Sequence, residues 1–103
     1  MEQPDAYTLA RWHVKPGKED QFVTEWERLA SVFSALPAPP LWGTLIRSET
    51  DPSLFFSFGP WRRGEDIGAM RANPSAQEGL RALGSLCIEA APGAYRLVKH
   101  IEL

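Results

Sequence analysis

The chain has 103 residues, of which 44% are hydrophobic and 23% charged, and its 11 basic and 13 acidic side chains give a formal charge of −2. This is the length of one domain, taken as residues 1–103, with globular rather than disordered composition. There is no basic face to neutralise phosphates and no apolar run of the ~18 residues a membrane span needs. The N-terminus, Met-Glu-Gln-Pro-Asp, lacks the regions of a signal peptide, so no nucleic acid and no membrane partner is expected and the expected location is cytoplasmic.

Tyr7 to Val14 alternates as a strand, with Thr8, Ala10, Trp12 and Val14 on one side and Tyr7, Leu9, Arg11 and His13 on the other. Lys15-Pro16-Gly17 breaks it. Glu19 and Asp20 then suit the positive end of a helix over about Lys18 to Ala35, whose inward stripe is Phe22, Trp26, Leu29 and Phe33 with Val23 and Ala30. Trp26 and Phe33 can pack against a sheet or line a cavity. Three prolines between Leu36 and Leu41 make an extended connection, Gly43 to Ser48 reads as a second strand, and the Asp51-Pro52 turn leads into a third.

That third strand, Leu54 to Phe58 in the run Leu-Phe-Phe-Ser-Phe-Gly-Pro-Trp, is the stretch around which the chain is organised. Four of the eleven aromatic residues fall in these eight positions, and both faces are apolar, as in a central strand covered on each side. Gly59 and Pro60 are expected to end it and to set Trp61 at the mouth of whatever strand and helix enclose. A short helix over Arg63 to Asn73 turns Ile67 and Met70 inward. Asn73-Pro74 interrupts it, and Ser75 with Glu78 has the form of a capping box for a second helical piece reaching about Glu89 on Leu80, Leu83 and Cys87. Ala91-Pro92-Gly93 stops that piece, and Ala94 to Glu102 alternates as the last strand.

The order is thus βαββαβ, the ferredoxin-like α+β fold, a four-stranded antiparallel sheet with helices on one face. Its other face is bare and partly apolar, and a chain this short has no second sheet to cover it, so a homodimer through the sheet face is the expected partner. Cys87 reads as a small core residue, with a reactive thiol as the minor reading.

The Val14-Lys15-Pro16-Gly17-Lys18-Glu19 turn, the Asp51-Pro52 turn, the strand ending in Trp61 and the Asn73-Pro74-Ser75 helix break together resemble the antibiotic biosynthesis monooxygenase family of dimeric α/β barrels. The resemblance runs nearly the length of the chain. It implies a ferredoxin-like protomer, two sheets packed into a shared barrel, and a pocket between sheet and helices bordered by Trp61. Members of that family include enzymes that oxidise anthrone-like or hydroquinone polyketides with dioxygen and no cofactor, and others that degrade haem. The haem-degrading branch uses an asparagine where this chain has Ala10 and a helix histidine where it has residues such as Met70 and Arg71.

Trp12, Trp26, Phe33, Trp61 and Met70 are accordingly the expected substrate-binding residues, an aromatic wall for a flat, hydrophobic ligand, with Trp61 as the catalytic candidate. The general base is unassigned. His13 falls on the sheet side opposite Ala10. His100, near the end of the last strand, lies opposite residues around Tyr7, some ~15–20 Å from His13 at ~3.4 Å per residue. No metal site and no cofactor are expected, because there is no cysteine pair, acidic cluster or histidine pair to hold a metal. Arg62-Arg63 reads as a solvated helix start, with an anionic substrate as the alternative. Two functions fit, a cofactor-independent monooxygenase acting on an aromatic quinol- or polyketide-like molecule and a non-catalytic dimeric module that binds a hydrophobic small molecule.

Overall fold

The computed structural model describes residues 3–103. Its elements follow in the order β1 (Ala6–Val14), α1 (Glu19–Ser34), β2 (Thr44–Arg47), β3 (Leu54–Trp61), α2 (Gly64–Ala72), α3 (Pro74–Ser85) and β4 (Cys87–Arg96). The sheet order is β2-β3-β1-β4 with every pairing antiparallel. This is the expected ferredoxin-like arrangement, with the split helix counted as α2 and α3.

The strand period assigns the two faces. Ala10 pairs with Ser57, Trp12 with Phe55 and Ala6 with Trp61, and these residues turn toward the helices. There Trp12, Val14, Phe22, Leu29, Phe55 and Leu83 form one buried cluster, and Trp61, Ile67, Met70 and Ala76 form a second. The Phe22 ring lies 5.0 Å from that of Phe55 and 5.6 Å from that of Trp12. Burying a side chain of that size contributes about 2–3 kcal/mol.

The opposite face carries Leu9, Leu54, Phe56 and Phe58 half-buried and Tyr95 and Ile46 exposed; among the described residues no helix or strand packs over them, and the Trp42 ring meets Phe58 at its edge. On this face Arg11 pairs with Glu89 of the same chain at 2.7 Å. His13 is half-buried here, as its place in the alternation required.

Several boundaries differ from those expected, the strand ends for tertiary reasons and the helix start at Asn73 for a local one. β3 does not stop at Gly59 but continues through Pro60 to Trp61, because β2 has already ended on that side. The missing proline N–H therefore breaks no ladder bond, and the Pro60 carbonyl accepts from the Leu41 amide at 3.0 Å. Glycine is needed just before it, since a Cβ at Gly59 would collide with the Trp42 carbonyl oxygen.

The second helix is capped by Asn73 rather than Ser75. Pro74 forces Asn73 into the extended region, its side chain accepts from the Ala76 amide at 3.1 Å, and the proline occupies the first turn.

That helix ends at Ser85, and the last strand begins at Cys87 rather than Ala94. The segment 87–91 has helix-compatible residues, but β1 offers an unpaired edge along its whole length, and the ladder to it overrides local propensity. Pro92 is tolerated because β4 is itself an edge strand. At the other end the strand runs out of partner. Arg96 faces Ala6, Leu97 donates a final bond to the Asp5 carbonyl, and residues 97–103 lie outside the sheet. His100 is therefore not in a strand opposite Tyr7, whose partner is Tyr95; it is exposed in the tail, 2.8 Å from the Glu102 carboxylate.

Gly17 carries the turn into α1 with φ +88°, a conformation in which a Cβ would be strained. The Glu19 carboxylate then ties three pieces together, accepting from the Gly17 amide at 2.9 Å and from the Ser53 hydroxyl at 2.8 Å. The Ser53 bond first, then backbone amides and the charge of Arg47, hold this carboxyl below its usual value of 4.5. No helix among the described residues is long and apolar enough to cross a membrane.

Candidate functional site

A cavity of about 640 Å³ opens between the sheet and the helices. Its floor is the helix-facing side of β1 and β3. α1 supplies one wall, Met70 and Arg71 of α2 with Leu80 of α3 another, and the connection Pro40–Gly43 closes one side. The connection is held there by the Leu41 amide bond to Pro60 and by the Trp42 ring, which meets those of Tyr7 and Phe58 edge-on at 6.4 and 6.1 Å.

All five residues expected from sequence line this space. Trp12 is 3% exposed, Met70 is buried, and Trp26 and Phe33 are half-buried on the inner side of α1. The Trp26 ring lies over Gly43, where a Cβ would make ordinary van der Waals contact with it at 3.8 Å. Trp61 corrects one expectation. It sits inside a strand and is 0% exposed, so it belongs to the inner wall and not to the mouth. Its ring meets that of Phe33 at 5.7 Å and 63°, an edge-to-face contact that fixes both.

The polar groups were missed by the sequence reading. Trp12 Nε1 donates to Ser57 Oγ at 2.9 Å, and Trp61 Nε1 donates to Thr8 Oγ1 at 3.0 Å. Each hydroxyl thus receives an indole N–H. Neither donates its own proton to any described group, so both O–H groups are available to a ligand oxygen in an otherwise apolar space. The signal was present. Thr8 and Ser57 are hydroxyl side chains on the helix-facing side of two otherwise apolar strand faces, a place where a polar group needs a partner. Their pairing with the two indoles depended on β1 and β3 being adjacent.

Among the described residues no histidine, aspartate or glutamate lines the cavity. His13 is on the other side of the sheet and His100 is in the tail, so neither supplies the unassigned base. Cys87 is buried outside the cavity, where its thiol donates to the Leu83 carbonyl at 3.3 Å and burial pushes its pKa up, against the charge of Lys15. It is a core residue, though at the head of a strand rather than in a helix. Arg62 and Arg63 are exposed, with Arg63 3.3 Å from Glu65, and Arg47 lies over the Phe55 ring at 4.6 Å. Among the described residues no three histidine, cysteine or acidic side chains gather as a metal centre would require.

Solved structures share this architecture over nearly their whole length. A mutant of SnoaB, a cofactor-independent oxygenase from Streptomyces nogalater, superposes with a TM-score of 0.86 at 18% identity, covering 95% of this chain and 97% of that one. A protein from Bordetella bronchiseptica, provisionally described as an antibiotic biosynthesis monooxygenase, gives 0.80 at 20% identity, with 96% and 100% covered. One from Deinococcus radiodurans, described in the same way, gives 0.81 at 13% identity over 95% and 97%. The chain has the fold of the antibiotic biosynthesis monooxygenases. At these identities the likeness is one of fold, and it places the cavity between sheet and helices in a scaffold that this fold family shares. No family sequence model matches the chain, and no curated protein matches it in sequence.

Proposed function

We propose that the chain is a cofactor-independent monooxygenase of the antibiotic biosynthesis monooxygenase family, a single domain over residues 1–103, acting in the cytoplasm on an aromatic quinol- or polyketide-like molecule. The observation that carries this reading is the cavity itself. Its volume falls within the ~300–1,000 Å³ range of small-molecule sites, its walls are indole and phenyl rings, and its interior polar groups are two oriented hydroxyl donors.

A flat ring system stacks against Phe33 and Trp26, with the fully buried Trp61 backing the Phe33 ring edge-to-face, and a ring oxygen accepts from Ser57 or Thr8. Such donors stabilise negative charge as it develops on that oxygen when the electron-rich ring is oxidised. Closure against water protects the reactive intermediate. For an anthrone the balance is simple. One oxygen atom of dioxygen becomes the new carbonyl, the other leaves as water, and the ring CH₂ supplies both hydrogens and four electrons. That the oxygenase SnoaB shares the fold supports the reaction class.

A homodimer is part of this proposal. The apolar open face, with a groove of about 480 Å³ between Leu9, Phe58, Tyr95 and Val98, is the surface that a second copy would cover. The second reading is a dimeric module that only binds a hydrophobic ligand, and one observation favours it, the absence of a side-chain base from the lining among the described residues.

The deciding measurement is oxygen uptake by purified, metal-stripped protein with a panel of anthrones and hydroquinones, with Ser57→Ala and Trp61→Phe beside the wild type. Uptake matched by quinone formation and reduced about tenfold or more in Ser57→Ala supports the oxygenase. Quenching of tryptophan fluorescence without any uptake supports the binding module.

A further inference from the structure

Among the described residues that line the cavity, Arg71 is the single charged one. It lies in the last turn of α2 and is exposed, so it stands at the rim, while Met70 beside it is buried in the wall. Its backbone carbonyl accepts from Gln77 Nε2 at 2.8 Å, but its guanidinium makes no ion pair and no hydrogen bond among the described residues. Arg62 and Arg81 likewise make no ion pair among the described residues but do not line the cavity, whereas other arginines are engaged. Arg28 pairs with Glu25, Arg63 with Glu65, and Arg47 covers the Phe55 ring.

The polar inventory of the cavity is therefore one-sided. Inside are the two hydroxyl donors, at the rim is one cation, and among the described residues no carboxylate or imidazole lines the cavity with them. The Ser34 hydroxyl is committed to the Ser31 carbonyl at 2.8 Å. The local positive charge runs against the formal charge of −2 of the whole chain, so it is not part of a general basic surface. A cation next to an apolar wall is poorly screened on that side, and a guanidinium presents a planar fork suited to a carboxylate.

We infer that the ligand of this cavity is a planar aromatic compound with an ionised carboxylate on its outer edge, and that Arg71 is the residue that selects for it. The rings enter the aromatic interior, their oxygens meet Ser57 and Thr8, and the carboxylate stays at the rim against Arg71. This rests on the cavity being the ligand site proposed above, and it holds whether the protein oxidises that ligand or only binds it.

The test uses two probes of one skeleton, anthraquinone-2-carboxylate and the neutral anthraquinone-2-carboxamide, with binding followed by tryptophan quenching in wild type, Arg71→Gln and Arg71→Lys. The wild type is expected to prefer the carboxylate by about three- to tenfold at low salt, less as salt is raised. Arg71→Gln should bring that preference to about unity by weakening the carboxylate more than the carboxamide, and Arg71→Lys should keep part of it. A purely structural role, such as balancing the C-terminal end of α2, would shift the melting temperature and leave the preference alone. Equal binding of both probes by the wild type, or a preference that survives in Arg71→Gln, overturns the inference and leaves the cavity as a neutral-ligand site. If neither probe binds, the inference and the ligand-site reading fall together.

Discussion

The two faces of the sheet are made from alternate residues of the same four strands, and their side chains are almost equally apolar, but they have different fates. On the helix side Trp12, Phe55 and Trp61 are 3%, 2% and 0% exposed. On the other side Leu9, Phe56 and Phe58 are half-buried and Ile46 and Tyr95 are open. The difference lies not in hydrophobicity but in what covers each face. Polar placement also differs. The covered side holds its few polar atoms in indole–hydroxyl pairs, whereas the open side holds Arg11 and Glu89 as a solvent-facing ion pair. A protein that spends so much apolar surface on an uncovered face is built either to pair or to aggregate.

The sharpest contrast should come from matched truncations. Phe22→Ala removes the ring that joins Trp12 and Phe55, and an expected loss of about 3–5 kcal/mol in urea unfolding would mark the covered side as the folding core. Phe56→Glu on the open side, where Arg11 is the cross-strand neighbour, should leave the protomer folded by circular dichroism. It should weaken self-association by about 2–4 kcal/mol in sedimentation equilibrium. If the wild type is already a monomer at micromolar concentration, the open face has some other purpose.

Trp61→Phe probes the border between core and site. Because Trp61 is fully buried and its N–H engages Thr8, this change should cost about 1–2 kcal/mol in addition to altering ligand affinity. The two effects are separated by measuring quenching well below the melting temperature.

The smallest effect belongs to Glu19, whose folded carboxyl is depressed below 4.5. A depressed acid contributes stability that is fully present above its unfolded value and lost as pH falls through its folded value. Glu19→Gln should therefore be less stable than wild type at pH 7. The gap should close as pH is lowered below about 4.5 in parallel urea titrations, and a gap that persists there would put the effect down to packing rather than charge.

The alternation of Tyr7 to Val14, the amphipathic stripe from Phe22 to Phe33 and the apolar run at Leu54 to Phe58 carry enough periodicity to dictate strand, helix and strand. Their order dictates the ferredoxin-like fold. The same patterns put Trp12, Trp26, Phe33, Trp61 and Met70 on one side, which is why a cavity lined by them was legible. What local pattern could not decide was where pairing starts and stops. β4 begins at Cys87 because β1 has a free edge there, and it ends at Arg96 because β1 begins at Ala6. β3 runs through Pro60 because β2 has already ended. Nor could the sequence reveal that two hydroxyls on neighbouring strands each cap an indole N–H, or that Arg71 stands alone at the rim. Periodicity is a property of one segment and survives reading in one dimension. Hydrogen-bond partners and unpaired charges are properties of two segments meeting, and only the folded chain brings them together.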